Sequence, residues 1–355
     1  MTRRAPVLVA LLLAWVNAHG AAQQAYPWQG MGVAVARPAA RAAIAARAVD
    51  GVALTVSDAD RSIRFYRDVL TFRVISDRIV EGAGWEALTG IPAARTRLVD
   101  LALGDEHLQL MQFLAPHGRA APTNMQSNDR WFQHVAIIVR DMDSAYARLA
   151  AAGVVHVSPS PQTLPATIPP AAGIRAFYFR DPDGHPLEIL AFPPDKGAAK
   201  WHAPSSALFL GIDHTAIVVW NTERSRAFYG ALLGLEVKGE SMNFGREQER
   251  LNNVAGARLH ITGLRAGAGP GVEFLDYRAP RTGRPYPADE RPSDIAHWQT
   301  RIVVDDVDEA LQVVRAQGVR VISREPATLD PAATGFRRAV LVRDPDGHAV
   351  ELVAR

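Results

Sequence analysis

The sequence contains no cysteine, and that absence removes several functions together. Disulfides, thiolate zinc sites, cysteine nucleophiles and a lipid anchor on an N-terminal cysteine are excluded, and a chain without thiols suits an oxidising compartment. Net charge is equally scarce. The chain has 39 Lys+Arg against 37 Asp+Glu, and Arg3 and Arg4 fall in a segment expected to be removed, which leaves the two signs balanced. A balanced chain offers no field to attract nucleic acid or an anionic membrane. The apolar run Pro6–Val16 is far short of the roughly 20 residues that span a bilayer. There is no Gly-x-Ser-x-Gly, Walker or His-Glu-x-x-His motif. A Gly-x-Gly inside Gly267–Gly271 precedes a strand and not a helix, so it reads as a hairpin connection, not a phosphate loop.

What is present begins with an export pattern. Two arginines, the apolar run and the small residues Ala18, Gly20, Ala21 and Ala22 make residues 1–22 a signal peptide, with the mature protein periplasmic or secreted and not membrane-bound. Residues 23–47, rich in Ala, Gln and Pro, read as a linker with a short helix across Ala39–Ala48. The remaining length, with 48% apolar residues overall, is enough for two ordinary domains.

The remainder is a duplication. Val49-Asp50-Gly51-Val52-Ala53-Leu54-Thr55-Val56 matches Ile212-Asp213-His214-Thr215-Ala216-Ile217-Val218-Val219. Arg-Ser-x-x-Phe-Tyr follows at Arg61–Tyr66 and at Arg224–Tyr229, and Arg-Asp-Pro-Asp-Gly-His recurs at Arg180–His185 and Arg343–His348. Each half divides again. Strand-like runs at 96–103 and 107–113 precede a new strand at 134–139 and a helix from Met142 to Ala152 that ends at Gly153. The second half repeats this with a strand at 302–304, a helix at 307–317 and Gly318 as its stop. The order of strand, helix and then antiparallel strands therefore occurs four times, an α+β fold of four βαβββ modules. Asp-Pro-Asp-Gly is a turn feeding the last strand of its module.

On these strand starts, helices and paired endings the sequence resembles the vicinal oxygen chelate superfamily, whose members include glyoxalase I, extradiol dioxygenases and bleomycin-binding proteins. The resemblance covers about residues 48–355 and implies two tandem domains with cupped mixed sheets, 48–193 and 211–355, joined by a linker at 194–210. It also implies up to two metal ligands per module. Module one offers Gly51 and Gln109, module two His134 and Glu188, module three His214 and Glu273. Module four offers Gln299 and Glu351, with His297 two residues before Gln299. Imidazole, carboxylate and amide donors suit one divalent Zn, Ni, Fe(II), Mn or Co ion. If modules two and three share a cup, the set is His134, Glu188, His214 and Glu273, and the other cup keeps only Gln109, Gln299 and Glu351. If each half makes its own cup, the set is His214, Glu273, Gln299 and Glu351. The first pairing is preferred, since it leaves no charged ligand of the working cup without partners.

The resemblance implies an enzyme of glyoxalase type, a lyase or isomerase acting on a small molecule through a metal-bound enediolate, with Glu188 or Glu273 as the base. The alternatives are an iron(II) extradiol dioxygenase and a non-catalytic binding protein. A monomer or a homodimer is expected, because fused modules can complete a site within one chain. The segment 276–292, with Arg278, Arg281, Arg284 and Tyr286, is long enough to cover a site, where its arginines could grip a carboxylate or could simply be solvated. Trp298 should point away from the face that carries Gln299 and serve packing.

Overall fold

The computed structural model describes residues 42–355. The signal segment 1–22 and most of the 23–47 linker lie outside the described residues. Among the described residues no helix is long and apolar enough to cross a membrane.

Four modules follow one another. The first holds β1 (Ala48–Thr55), α1 (Ala59–Arg64), β2 (Arg73–Glu81), α2 (Ala83–Thr89), β3 (Arg95–Leu103) and β4 (Glu106–Ala115). The second holds β5 (Gln133–Val139), α3 (Met142–Ala151), the short β6 (Val155–His156) and β7 (Gln162–Thr163), β8 (Arg175–Arg180) and β9 (Pro186–Ala191). The third repeats the first as β10 (Phe209–Val218), α4 (Thr222–Arg226), β11 (Glu236–Phe244), α5 (Arg246–Asn252), β12 (Arg258–Arg265) and β13 (Gly271–Ala279). The fourth repeats the second as β14 (Trp298–Val303), α6 (Val307–Ala316), β15 (Ala327–Thr328), α7 (Pro331–Thr334), β16 (Arg338–Arg343) and β17 (Ala349–Ala354).

The helix after each module's first strand starts on a side-chain cap. Asp58, Asp141, Asn221 and Asp306 each accept a backbone N–H from the first turn, which satisfies donors the helix cannot. α1 and α4 then widen into π-helical turns at Phe65–Val69 and Ala227–Leu232, across the Phe-Tyr of the repeated motif. Both tyrosines are buried, and both reach the other motif of their half. Tyr66 Oη donates to Asp181 Oδ2 and Tyr229 Oη to Asp344 Oδ2, each at 3.2 Å. Asp181 also accepts the backbone N–H of Asp183 and of His185, and bonds His185 Nδ1 at 2.8 Å. The two repeated strings of the sequence are thus one hydrogen-bonded contact, made twice.

The strands form two curled mixed sheets. One runs β15-β16-β17-β14-β1-β4-β3-β2 and the other β11-β12-β13-β10-β5-β9-β8-β6. At their centres β1 pairs antiparallel with β14, and β5 with β10. Modules one and four therefore share a cup, as do two and three. Smaller apolar clusters line each cup, while the two largest run the other way. One cluster joins modules one and two through residues such as Leu54, Tyr66, Ile137 and Phe177, and a second joins modules three and four. The motif histidines stitch the two sheets together, since His185 Nε2 meets the Ile295 carbonyl at 2.7 Å and His348 Nε2 the Val218 carbonyl at 2.9 Å. Trp298 is buried in the first of these cores, on the packing face.

Two expectations change. The described part of the proposed 39–48 helix is not helical. Residues 42–47 run extended along the end of the π turn, with Ile44 N–H donating to the Leu232 carbonyl at 2.8 Å and Ala46 N–H to the Leu233 carbonyl at 2.9 Å. Those carbonyls have no partner within their own helix, and Ile44 joins the core. The arginines of 276–292 are engaged by the protein. Arg281 lies over the Trp220 ring at 3.9 Å, Arg284 pairs with Asp129 at 2.5 Å and Arg278 with Asp276 at 3.2 Å.

Candidate metal centre

The register of the second sheet brings four polar side chains onto one concave patch. Glu188 on β9, Ala136 on β5 and His214 on β10 lie in one cross-strand row. His134 on β5, Ala216 on β10 and Glu273 on β13 lie in the next. Registered partners point to the same face, so two imidazoles and two carboxylates surround two buried alanines that leave the centre open. His134 Nε2 is 3.1 Å from Glu188 Oε2, and His214 Nε2 is 3.8 Å from Glu188 Oε2 and 3.7 Å from Glu273 Oε1. All four residues are buried.

This set fits a divalent ion. His214 Nε2 is buried without a hydrogen-bond partner, between two carboxylates that stand too far away to bond it. Ligand atoms each about 2.1 Å from one first-row ion lie roughly 3.0–3.4 Å apart, close to the spacings seen. Among the described residues, His134, Glu188 and His214 bring one ligand atom each within 4.8 Å of one another, and Glu273 stands outside that group, beside His214 alone at 3.7 Å.

The two imidazoles are held differently. β10 carries an extra residue at Asp213, where the register shifts against β5. That bulge turns Asp213 and His214 toward each other, with Asp213 Oδ2 at 3.0 Å from His214 Nδ1. Asp213 is fixed in turn by Arg265 at 2.9 Å and by Trp201 Nε1 at 3.1 Å. His134 has no such partner at Nδ1 and is placed by packing, with the Tyr178 ring centroid 4.7 Å away. Burial, opposed by His214 and reinforced by Glu188, pushes the Glu273 carboxyl up to about 7. Burial works against a charged His214, but Glu273, Asp213 and Glu188 outweigh it and lift the ring to about 9. Burial pulls His134 below its usual value despite Glu188. A pocket of about 60 Å³ adjoins the patch, lined by Tyr178, Leu190, Asn243, Gln248, Leu251 and Ile261 among others.

Two segments, 48–189 and 211–352, match the family model described as the Glyoxalase/Bleomycin resistance protein/Dioxygenase superfamily. The chain belongs to this superfamily. It is 34% identical over 151 residues to a 2-epi-5-epi-valiolone epimerase from Actinomyces sp, a match spanning 41% of this chain and 80% of the epimerase. Its fold is similar to glyoxalase I from Zea mays, with a TM-score of 0.54 at 17% identity over 87% of this chain and 92% of that one. A putative dioxygenase from Bacillus subtilis has a TM-score of 0.54 at 13% identity, over 88% of this chain and 86% of that one. At these identities the two structures speak for the fold alone.

Within this superfamily fold the alternative ligand set is not assembled. Gln299 and Glu351 lie on β14 and β17 of the first sheet, whereas His214 and Glu273 lie on β10 and β13 of the second, because strands pair across the halves. In the first cup Gln299 Nε2 donates to Glu351 Oε2 at 2.8 Å, and Gln109 Nε2 to Asp100 Oδ1 at 2.8 Å. His297 is buried between Glu290 Oε1 at 2.8 Å and Gln299 Oε1 at 3.0 Å. Arg301, in register with Gly51 and with Glu351, occupies the position that Ala136 holds in the other cup. Its guanidinium is 3.2 Å from Asp50, so this cup contains its own cation. Gly51 stands where module three has His214. At φ +153 a Cβ would come within 2.4 Å of the His107 carbonyl oxygen, so no side chain fits. Trp85, Leu98, Met111 and Phe336 fill what space remains.

Sequence reasoning did not find Asp213 as a partner of His214, because strand alternation sends neighbours to opposite faces and only the bulge reverses that. Nor did it find α2 and α5, which are one turn of helix or two and carry their signal at the ends. Gly82 and Gly245 precede them, and Gly90 and Asn253 stop them in left-handed conformations.

Proposed function

We propose that this chain is a metal-dependent isomerase or lyase for a small carbonyl compound, with His134, Glu188, His214 and Glu273 as ligands of one divalent first-row ion. The observation that carries the reading is the unbonded, buried Nε2 of His214 between two carboxylates. An ion held there would supply a Lewis acid for adjacent oxygens of a substrate. The protein's own part is proton movement. Glu273, buried at the edge of the patch with Oε1 3.7 Å from His214 Nε2, would be the carboxylate that takes a proton from the carbon beside a carbonyl and returns it. Returning it to the other face of that carbon would be an epimerisation, and the similarity to an epimerase supports that member of the class. The second carboxylate disfavours dioxygen chemistry, which needs coordination positions left open.

The test is elemental mass spectrometry on the purified protein. About one equivalent of a first-row metal is expected, lost in His134→Ala and in His214→Ala and kept in Gln299→Ala. A chain that takes up no metal on titration, or that loses it through Gln299→Ala, sinks the assignment.

A further inference from the structure

One wall of the pocket is polar where the fold does not require it. Ser241 Oγ donates to Asn243 Oδ1 at 2.7 Å, Asn243 Nδ2 donates to Gln248 Oε1 at 2.9 Å, and Gln248 Nε2 donates to Asn252 Oδ1. All four residues are buried, and Asn243 and Gln248 line the pocket. The molecule carries its own control. β2 and α2 of the first cup are the counterparts of β11 and α5, with N-cap glycines at φ 97 and 92 and left-handed C-caps in both. In that cup Val80 stands for Asn243 and Trp85 for Gln248, both in an apolar cluster. The same strand and helix fold with an apolar face, so the amides answer a different need.

A primary amide carries two donor hydrogens and two acceptor lone pairs. In the chain from Ser241 to Asn252, Asn243 and Gln248 each use one hydrogen of the amide nitrogen and one lone pair of the amide oxygen. The rest is left for whatever fills the pocket. The cations along the lining are matched by the protein itself, Lys238 with Glu236 at 2.5 Å and Arg265 with Asp213 at 2.9 Å. The wall therefore presents neutral donors and acceptors, with Leu190, Leu251 and Ile261 beside them for a carbon skeleton.

We infer that Asn243 and Gln248 are specificity-determining residues that select an uncharged polyhydroxylated ketone, gripping hydroxyls beyond the pair held at the His134–Glu188–His214–Glu273 patch. This rests on the reading that the patch takes a metal and the pocket a substrate. The test is calorimetric titration of the zinc-loaded full chain with two probes, 2-hydroxycyclohexanone and a pentahydroxycyclohexanone. Two or more added hydrogen bonds give the second probe an advantage of about tenfold or more. Asn243→Val combined with Gln248→Leu, which makes the wall apolar as it is in the first cup, brings the ratio to about one while zinc content and affinity for 2-hydroxycyclohexanone are kept. The near-isosteric Asn243→Asp, which removes the amide donor, lowers the ratio severalfold. A ratio near one in the unaltered protein, no binding of either probe, or a ratio that neither variant moves overturns the proposal. Failure to load zinc overturns the metal reading instead, and the ratio measured on the metal-free chain then judges the wall by itself.

Discussion

Asp213 and Ala136 set the chemistry of the patch without being ligands in it. Asp213 accepts from His214 Nδ1 and is pinned by Arg265 and Trp201, which fixes the ring with Nε2 toward the carboxylates. Removing such a partner weakens metal binding about 10- to 100-fold. Asp213→Asn is therefore expected to lower metal affinity by that factor in a chelator competition. Ala136 matters for what it leaves out. Its counterpart Arg301 fills the first cup with a guanidinium. Ala136→Arg should place a fixed cation in the second cup, and metal content should fall below about a tenth of an equivalent, since the ion and the guanidinium compete for the same carboxylates. Full metal occupancy in that variant would show that the ion sits elsewhere.

Among the elements, the Asp-Pro-Asp-Gly-His turn does more than reverse the chain. Its first Asp takes a tyrosine from the preceding module's helix, and its His bonds the Ile295 carbonyl in the turn that leads into β14 of the other sheet. The buried pair Asp181–His185 gives this contact a pH signature. Burial opposes both charges, yet His185 and the turn's amides hold Asp181 below its usual value, and Asp181 raises His185. A depressed carboxyl contributes stability above its unfolded value near ~4, lost as pH falls through its folded value. A raised imidazole contributes below its unfolded value near ~6.5, lost as pH rises through its folded value. The pair contributes most between about pH 4 and 6.5. Urea denaturation of wild type and His185→Gln should differ most near about pH 5, and the difference should shrink in alkaline buffer. A gap that is flat with pH would mean that the pair is held as neutral groups.

For the whole molecule, the decisive feature is that sheets pair across the halves while the two largest apolar clusters join modules within a half. Neither half contains a complete cup, and His134 and His214 come from different halves. Fragments 42–205 and 206–355, produced separately, are each expected to hold well under one equivalent of metal. Produced together, they should recover it. Stoichiometric metal in the second fragment alone would refute the shared cup.

The sequence by itself determined the modules. Period-two strands, Asp and Asn helix caps, glycine stops and Asp-Pro-Asp-Gly turns are local signals, and local physics is legible in order along the chain. The resemblance that these repeated strings carry implied His134, Glu188, His214 and Glu273 as ligands, with Gly51 and Gln109 departing from the pattern of the other modules. The sequence preferred this set to His214, Glu273, Gln299 and Glu351 only on the balance of charge, since both were compatible with every local signal. That choice belonged to strand pairing between β5 and β10, a contact between distant segments that no periodicity encodes. Only the tertiary structure brought Asp213 beside its own neighbour through a bulge, set Arg301 against Asp50 in the first cup, and left the amides of Asn243 and Gln248 facing a pocket where their counterparts Val80 and Trp85 close one. Side chains far apart in sequence meet only when the chain is folded, and what a buried polar group is for depends on what it meets.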